Sequence, residues 1–366
     1  MNYRLDHLSS LSIVVIGAGI AGASIARQFA SRGRAVTVLE REQPASGGSG
    51  NPVAVVRPEP GGADNPIAEF SAAGVHWLQD WLARHGASVP HAFCGAFRMT
   101  RDQRRHDKLL AYAETRSHDE IAEFSGAAAA QLCGQTPAGS GFFLPRAGWL
   151  APVALVHAML DHPLIHVHAR AEATRLDQHP DGSWQLNLSD GKILSAAQVV
   201  MATAYATQLS PVPLAVDRAR GQLSVVPEKA NQAIHVIVCR DGYITPAVNG
   251  LHTIGATIQY DDEDASARTS DDLENFQRLQ RLLPGFAKDP EEVLGGRVAW
   301  RATTQDRLPL VGKITEGLSV STGHGSRGIA CAPLCAELLV ADLCGEPLPM
   351  ARDWLTRLDP LRFGPR

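Results

Sequence analysis

The chain has 366 residues, long for a single hydrophobic core, so two domains are expected. Its 45% apolar and 20% charged residues are those of an ordinary globular protein, and the best candidate for a membrane span, Ile13 to Ala30, is broken by glycines and carries Arg27. A net charge of −4 excludes broad, charge-driven binding of nucleic acid, though not a local basic patch.

The first residues, MNYRLDHLSS, lack a basic segment followed by an apolar one, so no secretory signal is expected. A β-branched strand, Ile13 to Ile16, then ends on Gly17-Ala18-Gly19-Ile20-Ala21-Gly22, which opens a helix to about Arg32. A second apolar strand, Val36 to Leu39, stops at Glu40. Strand, G-x-G-x-x-G, helix, strand and acid form the full context of a dinucleotide fingerprint. Gly17 allows the tight turn, Gly19 lets a pyrophosphate approach the backbone, and Gly22 lets the helix lie against the sheet. The helix start offers free N–H groups to phosphate, and Glu40 stands where it can accept from a ribose hydroxyl.

A second small-residue loop, Ser46 to Pro52, leads into the apolar Val53 to Val56 and then Arg57-Pro58. A nicotinamide enzyme does not need this loop. A flavoprotein does, because its longer cofactor runs past the pyrophosphate towards an isoalloxazine ring. Pro66 to His85 reads as an amphipathic helix burying Phe70, Val75, Trp77, Leu78, Trp81 and Leu82. Cys94 to Met99 reads as a strand, and Arg101 to Ala130 as helical. Gly148-Trp149-Leu150 leads to a helix at Val153 to Leu160, and Ala173 to Asp177 pairs with Ser183 to Leu188 around His179-Pro180-Asp181-Gly182. Gln198 to Ala202 has the composition of a buried parallel strand. The segments Gln222 to Val226, Ile234 to Val238, Gly242 to Thr245 and His252 to Ile258 suggest an antiparallel sheet. Helices are expected at Asp271 to Leu283 and Ala332 to Leu343, with strands after Gly295 and at Leu318 to Ser321 around a turn at Pro309. Such alternation implies interleaved rather than sequential domains.

The six cysteines (Cys94, Cys133, Cys239, Cys331, Cys335 and Cys344) form no C-x-x-C pair, so reduced thiols in a cytoplasm are expected, with neither zinc nor disulfides. His166 and His168 share a strand face without a third ligand at useful spacing, so no metal site is expected. No G-x-S-x-G elbow supports a serine hydrolase. The basic run Arg98, Arg101, Arg104, Arg105 and Lys108 is either an RNA-phosphate contact or a solvated helix face shared with Asp102 and Asp107.

Beyond the fingerprint, six motifs stand in order: Ser49-Gly50-Asn51; Gly148-Trp149-Leu150; Arg220-Gly221-Gln222; Gly242-Tyr243-Ile244-Thr245-Pro246; Arg301 with Asp306 to Gly312; and Gly325-Ser326-Arg327-Gly328 with Ala332-Pro333-Leu334. With them the chain resembles the FAD-dependent D-amino-acid oxidase, glycine oxidase and sarcosine oxidase superfamily. Within it, the chain is most similar to the FAD-dependent C-terminal module of the bifunctional bacterial enzyme that makes 5-methylaminomethyl-2-thiouridine in tRNA, here as a stand-alone oxidase. The fold so implied is α/β, a Rossmann-like FAD-binding domain of the glutathione-reductase type (1–90, 148–212 and 299–366). It is interleaved with an α+β substrate domain on an antiparallel sheet (91–147 and 213–298).

The resemblance implies FAD held non-covalently, since Gly295 to Asp306 contains no cysteine. Its contacts would come from Gly17, Gly19, Ile20, Ala21, Gly22, Glu40, Arg41, Ser49, Gly50, Asn51, Ala173, Ala202, Gly325, Ser326, Arg327, Gly328 and Ile329. Thr203-Ala204 stands where the family usually has a glycine. The implied reaction oxidises the glycyl methylene of a carboxymethylaminomethyl group on the tRNA wobble uridine, leaving aminomethyluridine and glyoxylate, with a separate methyltransferase acting on the product. Arg301 would grip the substrate carboxylate, Tyr243 would add a phenolic hydrogen bond, and Arg327 would meet substrate or flavin. The alternatives are an oxidase of free glycine, sarcosine or a D-amino acid, and a flavin-binding protein without turnover.

Overall fold

The computed structural model describes residues 12–62 and 64–364, so the N-terminal decapeptide lies outside the described residues. The strand Ile13–Ile16 sits inside a six-stranded sheet. Its order is Leu310–Thr315, Leu318–Thr322, Gln198–Met201, Ile13–Ile16, Val36–Glu40 and Ile165–Ala169, parallel except at the Leu310–Thr315 edge. Both faces of this sheet are covered, which is why the central strands read as unbroken apolar runs. Val15, Val38 and Val200 pack under the helices Ile20–Ser31, Pro66–His85, Pro152–Leu160 and Gly328–Cys344. Val14, Ile16, Val199 and Met201 face a small antiparallel sheet of Ala173–Gln178, Trp184–Leu188 and Ile193–Ala196.

A nine-stranded sheet forms the second layer, built around the long strand Asp217–Pro227. Gly296–Thr303 pairs with it on one side from Asp217 to Ser224, and Leu251–Gly255 and Gln259–Tyr260 pair on the other. The sheet continues through Tyr243–Ile244, Ile237–Cys239, Ala96–Met99 and Gly141–Leu144 to Ala122–Phe124. All its pairings are antiparallel except Ile237–Cys239 with Ala96–Met99. The helix Thr269–Leu282 covers the face bearing Phe97, Val238, Ile244 and Ile254. Because the chain visits the two large sheets alternately, the architecture is interleaved. The boundary expected at 298/299 falls within Gly296–Thr303, which pairs along its length with the substrate-side strand.

Residues 101–130 are not one helix. Asp102 caps a helix at Gln103–Ala113 by accepting from the Arg105 amide at 2.9 Å; Ala122–Phe124 is then a strand, and the alanine run makes a second helix, Gly126–Cys133. Phe124 meets Phe143 edge-on at 6.1 Å, so strand pairing overrides the helical composition. The strand expected from Cys94 starts at Ala96, after Gly95 at φ +88°. The last long helix starts at Gly328, four residues early, and carries Pro333 inside it. Trp77 is only half-buried at the core's edge. Among the described residues no helix is long and apolar enough to cross a membrane, and no cluster could hold a metal; His166 and His168 are exposed on an edge strand.

Candidate active site

A cleft of about 750 Å³ lies between the two large sheets, within the usual range for ligand sites. It brings together Gly17, Gly19, Ile20, Ala21, Glu40, Arg41, Ser49, Asn51, Ala173, Ala202, Tyr243, Arg301, Gly325, Ser326, Arg327, Gly328 and Ile329. Gly22 and Gly50 are absent from its wall, and both are packed against protein instead. A Cβ on Gly22 would stand 1.8 Å from the Gly17 carbonyl oxygen, and one on Gly50 would stand 2.4 Å from that of Ala45.

At one end the glycine turn opens the helix Ile20–Ser31. Gly17 has φ +103°, and a Cβ there would meet the Ala202 oxygen at 2.5 Å. A Cβ on Gly19, by contrast, would meet only Ser49 Oγ at 3.4 Å, so the turn is open on the cleft side. Glu40 accepts from the Ala18 amide at 2.8 Å and the Glu42 amide at 3.0 Å, which fixes its carboxylate on the turn while leaving lone pairs for a ligand hydroxyl. The Ile20 amide donates to Ser49 Oγ at 3.0 Å, tying the second glycine loop to the helix start. That loop is also held from the opposite sheet. Arg297 donates to Asn51 Oδ1 at 3.0 Å and to the carbonyls of Ser46 and Gly47 at 2.6 Å each. Ala204 adopts φ +52°, the left-handed conformation for which a glycine would be expected, and its carbonyl accepts from Thr322 Oγ1. An open turn, a helix N-terminus, an amide-held carboxylate and a second braced loop fit a dinucleotide of flavin type.

The other end is cationic. Arg301 extends from Gly296–Thr303 into space left by Gly221, where a Cβ would lie 2.2 Å from its Nη1. That Nη1 is buried and, among the described residues, has no hydrogen-bond partner. Burial lowers the guanidinium's pKa, with Tyr243 and Tyr260 opposing, and burial likewise raises that of the Tyr243 phenol. Such a pair is short of one oxygen-rich anion. Charge is also unevenly distributed: by the glycine turn Glu40, Glu42 and Glu172 stand with Arg41 and Arg297, whereas Arg57, Arg101, Arg240, Arg278, Arg301 and Arg327 line the rest against Asp241. Arg98, read from sequence as part of a basic run, turns inward and meets Glu59 at 2.8 Å; Arg101, Arg104, Arg105 and Lys108 are exposed. Sequence reading overlooked Arg57, Glu59, Arg297 and His324, because no motif marks side chains that converge only through sheet pairing.

His324 lies in the glycine-rich loop before the last long helix. Its Nε2 is 3.0 Å from Ser321 Oγ, while its Nδ1 is buried without a partner among the described residues. Burial pushes its pKa down to about 4, against a contact with Ser321 that favours the proton. The imidazole is therefore neutral at working pH. As pH falls the unfolded chain takes up this proton first, so the associated stability is full above the ordinary value of 6.5 and is lost as pH drops from 6.5 towards 4. Thermal melts of His324→Gln should decline less than the parent over that window; parallel curves would remove His324 as a cause.

The fold and cleft define a dinucleotide-binding flavoprotein of the oxidoreductase type. The chain belongs to the FAD-dependent oxidoreductase family, which it matches over residues 12–342. It is 35% identical over 383 residues to the tRNA 5-methylaminomethyl-2-thiouridine biosynthesis bifunctional protein MnmC of Azoarcus sp. (strain BH72), covering 96% of this chain and 59% of that protein. The protein of the same name from Aromatoleum aromaticum is also 35% identical, over 380 residues, with the same coverages. The chain thus spans less than two thirds of the length of these relatives. Among solved structures, glycine oxidase from Geobacillus kaustophilus superposes with a TM-score of 0.82 at 21% identity, covering 96% of this chain and 98% of that one.

Proposed function

We propose that the protein oxidises an N-substituted glycine, the carboxymethylaminomethyl group of the wobble uridine in tRNA (with or without 2-thiolation), to aminomethyluridine and glyoxylate. The observation that carries this reading is the buried, partnerless Arg301 Nη1 beside Tyr243. The likeness to the tRNA-modifying relatives supports the choice of substrate.

The glycine turn, Glu40 and the Ser46–Asn51 loop would hold FAD non-covalently, and FAD, when bound, would supply a hydride acceptor for the glycyl methylene. Arg301 offers its fork to the substrate carboxylate and Tyr243 adds an O–H donor. The surrounding guanidiniums disfavour a second positive charge, so the substrate nitrogen binds as a neutral amine with its lone pair available. His324, uncharged, adds no opposing field. Loss of a hydride and the N–H proton makes an imine; water adds to its carbon, and the C–N bond breaks to give a primary amine and glyoxylate. That amine would then be open to a separate methyltransferase. We assign 1–90, 148–212 and 299–366 to the cofactor domain and 91–147 and 213–298 to the substrate domain, with Gly296–Thr303 joining them.

Arg101, Arg240 and Arg278 on the cleft wall, with Arg104, Arg105 and Lys108 beside them, would meet RNA phosphates, so binding should weaken with salt. The deciding experiment incubates FAD-loaded protein with tRNA that carries the precursor, followed by nucleoside analysis and a glyoxylate assay. Conversion is expected, with poor turnover of free glycine or sarcosine. Brisk turnover of a free amine with unchanged tRNA would favour an amino-acid oxidase instead, and no turnover of either would leave a flavin-binding protein.

A further inference from the structure

Beside the Arg301 pocket the cleft wall carries a second positive centre. Arg57 Nη1 lies 3.1 Å from Glu59 Oε2, Arg98 Nη1 lies 2.8 Å from Oε1, and Arg327 Nη2 lies 3.6 Å from Oε2. The Glu59 amide donates to Ser71 Oγ at 2.8 Å, and Ser71 is itself buried, so the backbone that carries the carboxylate is held in place. Burial alone would raise the pKa of Glu59; Arg57, Arg98 and Arg327 instead hold it down to about 2, and it stays ionised at any working pH. Three guanidiniums against one carboxylate leave a charge of +2 on side chains no more than 29% exposed. Arg57 and Arg327 face the cleft, whereas Glu59 and Arg98 are not part of its wall, so Arg98 adds its charge from behind. An ion-pair network that served only stability would be closer to balanced; this one presents its excess to ligand space.

The position of the centre follows from strand register. Arg98 stands beside Cys239, and Cys239 beside Tyr243, on three consecutive strands. Cross-strand neighbours share a face. These three therefore point away from the core that holds Phe97, Val238 and Ile244. Two strand spacings put roughly 10 Å between the Cα atoms of Arg98 and Tyr243. One α-carboxylate held by Arg301 and Tyr243 does not span that distance. A nucleotide whose base carries the carboxylate on a short arm does, because its backbone phosphates lie on the far side of the base and sugar.

Building on the tRNA reading above, we propose that Glu59 is a positioning residue that gathers Arg57, Arg98 and Arg327 into a receptor for an RNA phosphate flanking the modified nucleoside. This second anchor would separate the polynucleotide substrate from a free amino acid, which has no second anion to offer.

The test compares kcat/KM of the FAD-loaded protein on 5-carboxymethylaminomethyluridine and on its 3′,5′-bisphosphate, together with sarcosine and iminodiacetate. The parent protein should prefer the bisphosphate by about tenfold or more, mainly through KM, and the preference should shrink with added salt. Arg57→Gln should bring the ratio close to one. Glu59→Gln should reduce it in the same way, and Glu59→Asp should restore part of it, which a generally loosened fold would not do. Equal use of nucleoside and bisphosphate by the parent overturns the proposal, as does an Arg57→Gln protein that keeps the preference or that loses FAD instead. Iminodiacetate favoured over sarcosine, with that preference lost in Arg57→Gln, would reassign the centre to a second carboxylate. If the free amines turn over and neither uridine compound does, the tRNA reading itself fails and takes the phosphate receptor with it.

Discussion

Replacing Arg301 by alanine should lower kcat/KM on the carboxymethylaminomethyl substrate by roughly thirty- to several-thousand-fold. This range corresponds to the ~2–5 kcal/mol lost when one partner of a buried, hydrogen-bonded charge pair is removed. Both KM and kcat should suffer, because the same fork that binds the carboxylate aims the adjacent methylene. Arg301→Lys should recover little, since a point charge on a flexible stem does not reproduce two parallel donors. FAD content should stay normal, as Arg301 lies at the end of the cleft away from the glycine turn. The buried Nη1 has no hydrogen-bond partner among the described residues. Relieving that cost should make Arg301→Met melt higher than the parent in the absence of substrate, the reverse of its effect on activity. Turnover within twofold of the parent in Arg301→Ala would remove the residue from the substrate site.

Arg301 also shows where sequence stops being legible. Its presence after a strand could be read from the chain, but its isolation could not, because that depends on Gly221 one strand away and on Tyr243 further across the sheet. The same holds for Glu59 and its three arginines. Residues 57, 59, 98 and 327 are joined by no periodicity, and Arg98 in particular reads as surface until the register of Ala96–Met99 turns it inward. Arg297 is a similar case, since only the approach of the two sheets brings it onto the Ser46–Asn51 loop.

The parallel core was legible because its strands are buried on both faces and its helices carry strong local signals. Pro66–His85 matched at both ends: Asn65 accepts from the Ile67 amide at 3.2 Å, proline fills the first helical position, and glycine follows the last. Signals failed where composition and pairing disagreed. The alanine-rich stretch before Cys133 hid the strand Ala122–Phe124, and the helix expected from Ala332 after a glycine-rich entry starts at Gly328 instead. Short strands such as Leu310–Thr315 and Ile193–Ala196 went unread, for each is stabilised mainly by the neighbour it pairs with.

Two single-methyl substitutions in the glycine turn should have opposite signatures. At Gly22 the added carbon would stand 1.8 Å from a backbone oxygen, so the helix must lift off the turn, and the obstacle cannot rotate aside. Gly22→Ala should therefore cost about 3 kcal/mol of stability or more, as overpacking of a closed contact does, and lose FAD as a consequence. At Gly19 the backbone is φ −77°, ψ −175°, which alanine adopts freely, and the only neighbour is Ser49 Oγ at 3.4 Å. Gly19→Ala should lower the melting temperature of the FAD-free protein only slightly, the weaker helix cap costing on the order of half a kcal/mol. Its methyl would nevertheless fill the space through which a pyrophosphate reaches the backbone amides, and FAD affinity should fall by about tenfold or more. Melts of the FAD-free protein and titration with FAD, followed by quenching of flavin fluorescence, separate the two effects. A Gly19→Ala protein that binds FAD like its parent would move the pyrophosphate off this turn, and a Gly22→Ala protein of parental stability would show that the turn and helix can part without cost.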